Sequence, residues 1–298
     1  MSGKAPKGLF VPLVTPFHAD ESIDYEGYKR VIDYVIEGGM DGVLVGGTTG
    51  EYHMMSVEER KELIKKGCEI VGGRVHVMAG TGMNTAKATI ELTNYAAECG
   101  AEYALVLPPY YHQTTEEGIY EFFREIAAGS KIGIVIYHTP GATNVELSVP
   151  LIRRLAQIEN IVAVKETIDE THTSQTYMHT KDIPGFCVME ANEPLLLPSY
   201  AVGIDAAFSI IFNLLPREMR ELYDLVFQKN DLAAARALNE KLSPIFDLME
   251  EEPYGPVKAG LDAIGMPGGI VRKPLTQPSD EMRRKMREEL KKLGYDVK

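Results

Sequence analysis

Short apolar runs recur along this chain at intervals of roughly 25 to 35 residues, the size of a strand followed by a helix. They fall at residues 9–14, 42–45, 75–79, 103–107, 132–137, 161–165, 186–189 and 206–211. Each is almost continuously apolar rather than alternating, as expected of a strand covered on both faces in a parallel sheet. Helical signals fill the gaps. Ser56-Val57-Glu58-Glu59 is a capping box ahead of a charged helix with Leu63, Ile64 and Ile70 as its apolar stripe. Residues 85–98 carry Ala and Leu at helical spacing and stop at Gly100. Ser148-Val149-Pro150 opens another helix with proline early, where it is tolerated. Eight such alternations predict an α/β fold of the (β/α)8 TIM-barrel type. A doubly wound open sheet is the alternative, and the even spacing of the units disfavours it. Residues 217–228, 231–251, 257–264 and 279–292 also read as helices, more than one barrel helix requires. The expected organisation is a barrel core over 1–215. The last barrel helix and a C-terminal helical extension follow over 216–298, within a single structural unit.

Composition narrows the function classes. The formal net charge of −12 argues against non-specific nucleic-acid binding. Cys68, Cys99 and Cys187 are odd in number and widely spaced, which disfavours a disulfide framework, and no CxxC pair suggests zinc or thiol redox chemistry. The apolar run after residues 1–8 is too short for a signal peptide, and no stretch approaches a membrane span. A cytoplasmic protein without membrane attachment is expected.

Lys165 is the most unusual residue. It closes the run Ile161-Val162-Ala163-Val164-Lys165, and alternation puts Ile161, Ala163 and Lys165 on one face of a buried strand. Burial disfavours the charged form of lysine, and a neutral amine can attack a carbonyl to form a Schiff base. Barrel enzymes carry their chemistry at the C-terminal ends of strands. Here those ends hold Gly46-Gly47-Thr48-Thr49-Gly50-Glu51, Pro108-Pro109-Tyr110-Tyr111, Tyr137-His138-Thr139-Pro140-Gly141, Lys165 and Glu190-Ala191-Asn192-Glu193. The glycine–threonine segment suits a nest for a carboxylate, and it equally suits a plain tight turn. Tyr110, Tyr111 and Tyr137 read equally as packing, and Lys165 alone could extend out of the barrel mouth. Taken together they supply a nucleophile, a proton shuttle and an anchor for an α-keto acid.

The chain resembles the dihydrodipicolinate synthase and N-acetylneuraminate lyase family of pyruvate-type aldolases. The matching pieces are Gly47-Thr48-Thr49-Gly50-Glu51, Pro109-Tyr110-Tyr111, Tyr137-His138-Thr139-Pro140, Val164-Lys165-Glu166 and Pro256-Val257-Lys258-Ala259, in order from about residue 9 to 275. The resemblance implies that Lys165 forms the imine with a pyruvate-like substrate and that Tyr137 relays protons. It implies that Thr48 links Tyr137 to Tyr111, and that Tyr111 crosses into a neighbouring subunit's site. Thr49 with adjacent backbone N–H groups would hold the substrate carboxylate, so that Gly47, Thr49, Gly50, Glu190 and Ser209 are the expected substrate-binding residues. No metal or organic cofactor is implied, since the imine is itself the electron sink. A homotetramer built as a dimer of dimers is implied as well.

Two departures bear on substrate. The synthase branch carries an arginine two residues after the motif proline, for the second substrate's carboxylate. Ala142 stands there and cannot replace the guanidinium fork. The lysine-regulatory site of that branch also looks incomplete, with Arg60 and Ala88 at two of its positions beside Asn84 and Tyr110. Glu190 replaces a glycine frequent in the family. It is expected either to accept hydrogen bonds from a hydroxylated substrate, such as a 2-keto-3-deoxy sugar acid, or else to pair with a nearby cation or point away. The leading expectation is a Schiff-base class I lyase, an aldolase or dehydratase of such a keto acid, and not a true dihydrodipicolinate synthase. The alternatives are 4-hydroxy-tetrahydrodipicolinate synthase and a non-catalytic keto-acid-binding protein. His53, His112 and His138 could line the site. His172 and His179 read as a surface helix face, and no histidine has metal-ligand spacing.

Overall fold

The computed structural model describes residues 5–112, 114–251 and 254–298. Eight strands close into a barrel in chain order. They are β1 (Gly8–Pro12), β2 (Gly42–Val45), β3 (His76–Gly80), β4 (Tyr103–Val106), β5 (Gly133–His138), β6 (Ile161–Glu166), β7 (Cys187–Glu190) and β8 (Ala206–Phe208). Helices follow the strands in turn. Helix α1 (Tyr25–Glu37) comes after β1, α2 (Val57–Val71) after β2, α3 (Ala86–Cys99) after β3 and α4 (Glu116–Gly129) after β4. Strand β5 is followed by the single turn α5 (Pro140–Thr143) and by α6 (Val149–Leu155). Helix α7 (Glu170–Thr180) follows β6 and α8 (Leu196–Val202) follows β7. The chain ends with α9 (Pro216–Phe227), α10 (Leu232–Glu251), α11 (Gly255–Ala263) and α12 (Asp280–Lys292). The predicted TIM barrel and C-terminal helices are therefore present, and every predicted strand forms.

Local chemistry sets the boundaries. Ser56 and Glu59 exchange hydrogen bonds as a full capping box at α2. Thr85 caps α3, and Gly100 ends it in the left-handed region. The eighth apolar run is longer than its strand. Ser209 accepts a hydrogen bond from the Ile211 N–H and turns the chain into a 3₁₀ helix over Ile210–Asn213.

The chain divides into two compact units, Met1–Phe10 with His76–Phe208, and Val11–Val75 with Ser209–Lys298. In the first, the helix-facing sides of β4 to β7 pack on α4 and α6 through Val106, Phe123, Ile126, Ile136, Leu151, Ile152, Val164 and Val188. Ile161 joins this outer cluster, not the face of Ala163 and Lys165. The cause is a register shift, in which Ile134 pairs with Ile161 but Val135 pairs with Ala163. The second unit buries Val31, Ile32 and Val35 of α1, Leu63 and Ile64 of α2, and Leu222 of α9. In the C-terminal extension it buries Phe246, Leu261, Met286 and Leu290. Among the described residues no helix is long and apolar enough to cross a membrane.

Candidate active site

Strands β5 and β6 run in register at their ends, with Tyr137 beside Lys165 and His138 beside Glu166. Successive side chains face opposite ways, so Tyr137 and Lys165 share the face turned from the helix layer. Lys165 is 7% exposed. Its Nζ lies 3.7 Å from the Tyr137 ring centroid, 5.5 Å from that of Phe208, and 3.5 Å from Thr167 Oγ1. Among the described residues no carboxylate pairs with it, so two aromatic rings and a hydroxyl surround a buried amine. Burial pushes the Tyr137 phenol upward. The Lys165 charge and hydrogen bonds with Lys165, Thr139 and Thr167 outweigh that, and the phenol is held below its ordinary value. A phenol that yields its proton more readily, in contact with a nucleophilic amine, can move protons to and from a carbinolamine.

On the opposite face, His138 and Glu166 are fully buried against α7, and His138 Nδ1 lies 2.6 Å from Glu166 Oε2. His172 reaches the same carboxylate from α7, with Nδ1 3.6 Å from Oε1. Burial opposes the Glu166 charge, but both histidines outweigh it and hold the carboxyl below its usual value. Contact with Glu166 raises His172. His138 thus faces away from Lys165 and does not line that side. His172 turns inward from α7, while His179 stays exposed. Their spacing placed both on one helix face, but the burial of α7 begins at its first turn, where Glu166 waits. These three side chains are also the described group whose ligand atoms lie close enough together to hold a metal, within 4.8 Å of one another.

The second unit carries the glycine–threonine loop. Gly46 adopts φ +66°, and a Cβ on Gly50 would come within 2.9 Å of the Leu13 carbonyl oxygen, so neither position takes a side chain without strain. The N–H groups of Gly50 and Glu51 bond back to the carbonyls of Gly47 and Thr48. Those of Thr48 and Thr49 have no partner among the described residues, which suits an anion nest. The loop ends at Glu51, fully buried, where Lys258 Nζ donates to Oε1 at 2.5 Å and the Arg272 N–H donates to Oε2 at 2.8 Å. The loop is thus held by α11 and the segment after it. Residue types alone did not single out this support. Its sequence signal is the buried lysine of Pro256-Val257-Lys258-Ala259.

The remaining expected residues fall as follows. Glu190 is fully buried. Its Oε1 accepts from the Ala191 and Asn192 N–H groups, and its Oε2 accepts from the Ser199 hydroxyl at 2.6 Å. Burial raises this carboxyl. Its acceptors are directed at the turn after β7 and at α8. Ser209 is buried as the cap described above. Tyr111 is 87% exposed with φ +79°, edge-on to His112. Ala142 lies exposed in α5. Thr139 and Thr167, which hold Tyr137 and Lys165, were not singled out in the sequence. Their only signal was position two residues along from Tyr137 and Lys165.

Residues 5–293 match the dihydrodipicolinate synthetase family. A 4-hydroxy-tetrahydrodipicolinate synthase of Methanothrix thermoacetophila is 38% identical over 97% of both chains. The crystal structure of dihydrodipicolinate synthase from Aquifex aeolicus superposes with a TM-score of 0.91 at 36% identity, covering 98% of this chain and all of that one. YagE, a prophage protein of the same family from Escherichia coli K12 in complex with pyruvate, gives 0.92 at 27% identity over 97% and 99% of the two chains. The chain belongs to the dihydrodipicolinate synthetase family.

Proposed function

We propose that this protein is a 4-hydroxy-tetrahydrodipicolinate synthase working through an imine between Lys165 and pyruvate. As a member of its family it is a lyase of the Schiff-base kind. The observation that carries the reading is the buried Lys165 amine, paired with no carboxylate among the described residues and 3.7 Å from the Tyr137 ring centroid. In the proposed cycle Lys165 attacks the keto carbon and Tyr137 passes protons to the carbinolamine oxygen. Loss of water gives the imine, and the methyl carbon then gives up a proton to form the enamine. That carbon attacks the aldehyde, whose oxygen takes up a proton; the aldehyde substrate's own amine then adds to the imine carbon and expels Lys165. The N–H groups of Thr48 and Thr49 would hold the pyruvate carboxylate, with Gly47 and Gly50 shaping the loop. Tyr111 would act through Thr48 from a neighbouring subunit of a homotetramer.

The aldehyde follows from the product that the relatives' name contains. Subtracting pyruvate, and restoring the water that condensation releases, leaves a short amino-acid aldehyde with its own carboxylate, aspartate semialdehyde. Relatives of that name at 33–38% identity support this choice and give no support to excluding a synthase. The reading with a hydroxylated sugar acid rested on Ala142 and Glu190. Glu190 spends its acceptors within the protein, which removes that support, and Ala142 alone favours the second reading. A product assay decides between them. Pyruvate with aspartate semialdehyde should give a kcat/KM at least about tenfold above that for cleavage of any 2-keto-3-deoxy sugar acid. The reverse order would establish the second reading.

A further inference from the structure

Behind the face of Lys165 and Tyr137 lies a ring of polar groups with a single gap. It joins His138 at the end of β5, Glu166 at the end of β6, His172 in the first turn of α7, and the backbone of Leu147 ahead of α6. His138 Nδ1 is 2.6 Å from Glu166 Oε2. The Leu147 N–H donates to His138 Nε2 at 3.0 Å, and the Leu147 carbonyl lies 3.0 Å from His172 Nε2. His172 Nδ1 faces Glu166 Oε1 at 3.6 Å, just beyond hydrogen-bond reach, and this is the one gap in the ring.

The ring fixes where protons sit. Because the Leu147 N–H can only donate, His138 Nε2 accepts, and the His138 proton lies on Nδ1, directed at Glu166. Because the Leu147 carbonyl can only accept, His172 Nε2 carries a proton. His172 Nδ1 is then the one undetermined nitrogen. Without a proton it turns a lone pair toward Glu166 Oε1, a buried oxygen with no other hydrogen-bond partner among the described residues. The Thr176 hydroxyl, 3.4 Å away, can donate to it instead. With a proton, Nδ1 donates to Glu166 and neutralises a buried carboxylate. The same reasoning disfavours a metal here. An ion on His138 Nδ1 would need that nitrogen bare, forcing the proton onto Nε2 against the Leu147 N–H.

The ring adjoins the reacting groups. His138 and Glu166 follow Tyr137 and Lys165 directly on the two paired strands. The Thr167 N–H donates to the His138 carbonyl at 2.9 Å, Thr167 Oγ1 lies 3.5 Å from Lys165 Nζ, and the Thr139 and Thr167 hydroxyls help hold the Tyr137 phenol below its ordinary value. A displacement of His138 or Glu166 therefore moves the two threonines that hold the nucleophile and the proton relay.

We propose that His138, Glu166 and His172 are positioning residues: protonated His172 closes the ring and fixes Lys165 against Tyr137, and loss of that proton opens the ring and slows turnover. The proposal rests on the imine reading above. The groups around His172 favour its cation. They are Glu166 on β6, Glu146 ahead of α6, and Asp169 at the cap of α7; Glu190 on β7 pairs with Glu166 but directs its oxygens at Ala191, Asn192 and Ser199. His138 on β5, held as the neutral tautomer, does not oppose it. The positive end of α7 does.

The test compares wild type with Glu166→Gln, His172→Gln and the double variant. In Glu166→Gln the amide oxygen accepts from His138 and the amide NH2 donates to neutral His172, so the ring closes without charge. Wild-type kcat should fall as pH rises through the His172 ionisation, with the KM for pyruvate unmoved. Glu166→Gln should lack that limb, and NMR of the His172 ring should show its ionisation displaced to lower pH. His172→Gln should lose about 10- to 100-fold in kcat, and the double variant, with two paired amides, should recover most of it. If His172→Gln does not fold, the Glu166→Gln profile decides alone. Identical kcat–pH profiles in wild type and Glu166→Gln, or a His172→Gln loss that the double variant does not recover, would overturn the proposal. Borohydride trapping of pyruvate on wild type separates the two levels. Trapping with unchanged profiles removes the positioning role alone. No trapping removes the imine reading and the positioning role with it.

Discussion

In the proposed mechanism Lys165 acts without a carboxylate partner among the described residues and with Tyr137 beside it. Lys165→Ala should abolish imine formation while leaving the far-UV circular dichroism of the barrel unchanged. Residual turnover at the wild-type rate would show that another group is the nucleophile. Tyr137→Phe keeps the ring beside Nζ but removes the hydroxyl, and should slow turnover by about 10²–10⁴-fold, read as kcat at saturating pyruvate. Behind them, Glu166 and His172 make stability depend on pH. Glu166 is held below its ordinary 4.5, so its contribution is present above that value and is lost as pH falls through the lowered one. His172 is held above 6.5, so its contribution is complete below 6.5 and is lost as pH rises through the raised one. The difference in Tm between wild type and His172→Gln should therefore be largest between about pH 4.5 and 6.5 and shrink on both sides. A constant difference across pH would contradict the ion pair. The placement of Lys165 beside Tyr137 was legible in the sequence, because a lysine ending an apolar strand has few explanations. The ring of His138, Glu166 and His172 was not, because it needs the register of β5 with β6 and the docking of α7, neither of which a single sequence prints.

The loop after β2 acts as a unit with the C-terminal extension. Glu51 closes the loop in the left-handed region, and Lys258 from α11 and the Arg272 N–H complete its hydrogen bonds. Arg272 also reaches Glu59 at 2.5 Å, the residue that forms the capping box of α2. Lys258→Met would leave the Glu51 carboxylate buried with its cation gone. The expected cost is about 3–5 kcal/mol, measured from the denaturant midpoint, with Glu51→Gln in the same chain restoring much of it. Equal stability of Lys258→Met and wild type would show that the pair does not hold the loop. The strands and helices themselves were legible, since apolar runs, the capping box at Ser56 and the stop at Gly100 are local signals. Ser209 shows where such signals stop. The apolar run continues past it, but the hydroxyl caps a 3₁₀ turn and ends the strand. Glu190 shows a second limit. Its type suggested a substrate contact, whereas the turn after β7 and Ser199 take up its oxygens.

At the scale of the whole molecule, Tyr111 is the most exposed of the large hydrophobic side chains among the described residues. Tyr111 presents a large aromatic ring to solvent from a left-handed backbone position. Aromatic rings are enriched at subunit interfaces. In the proposed tetramer Tyr111→Ala should weaken assembly and lower kcat together, read by native mass spectrometry and turnover at matched concentrations. An unchanged assembly with unchanged kcat would remove Tyr111 from the interface. The fold class was legible because eight near-equal units admit few architectures. The second substrate was not, because it turns on a few exposed side chains such as Ala142. All of this depends on a covalent link between Lys165 and a 2-oxo acid. Borohydride reduction of the protein with pyruvate, followed by peptide mass mapping, tests that link most directly. A stable adduct on the peptide carrying Lys165, absent from Lys165→Ala, is the predicted result; an adduct on another residue, or none, would contradict the mechanism.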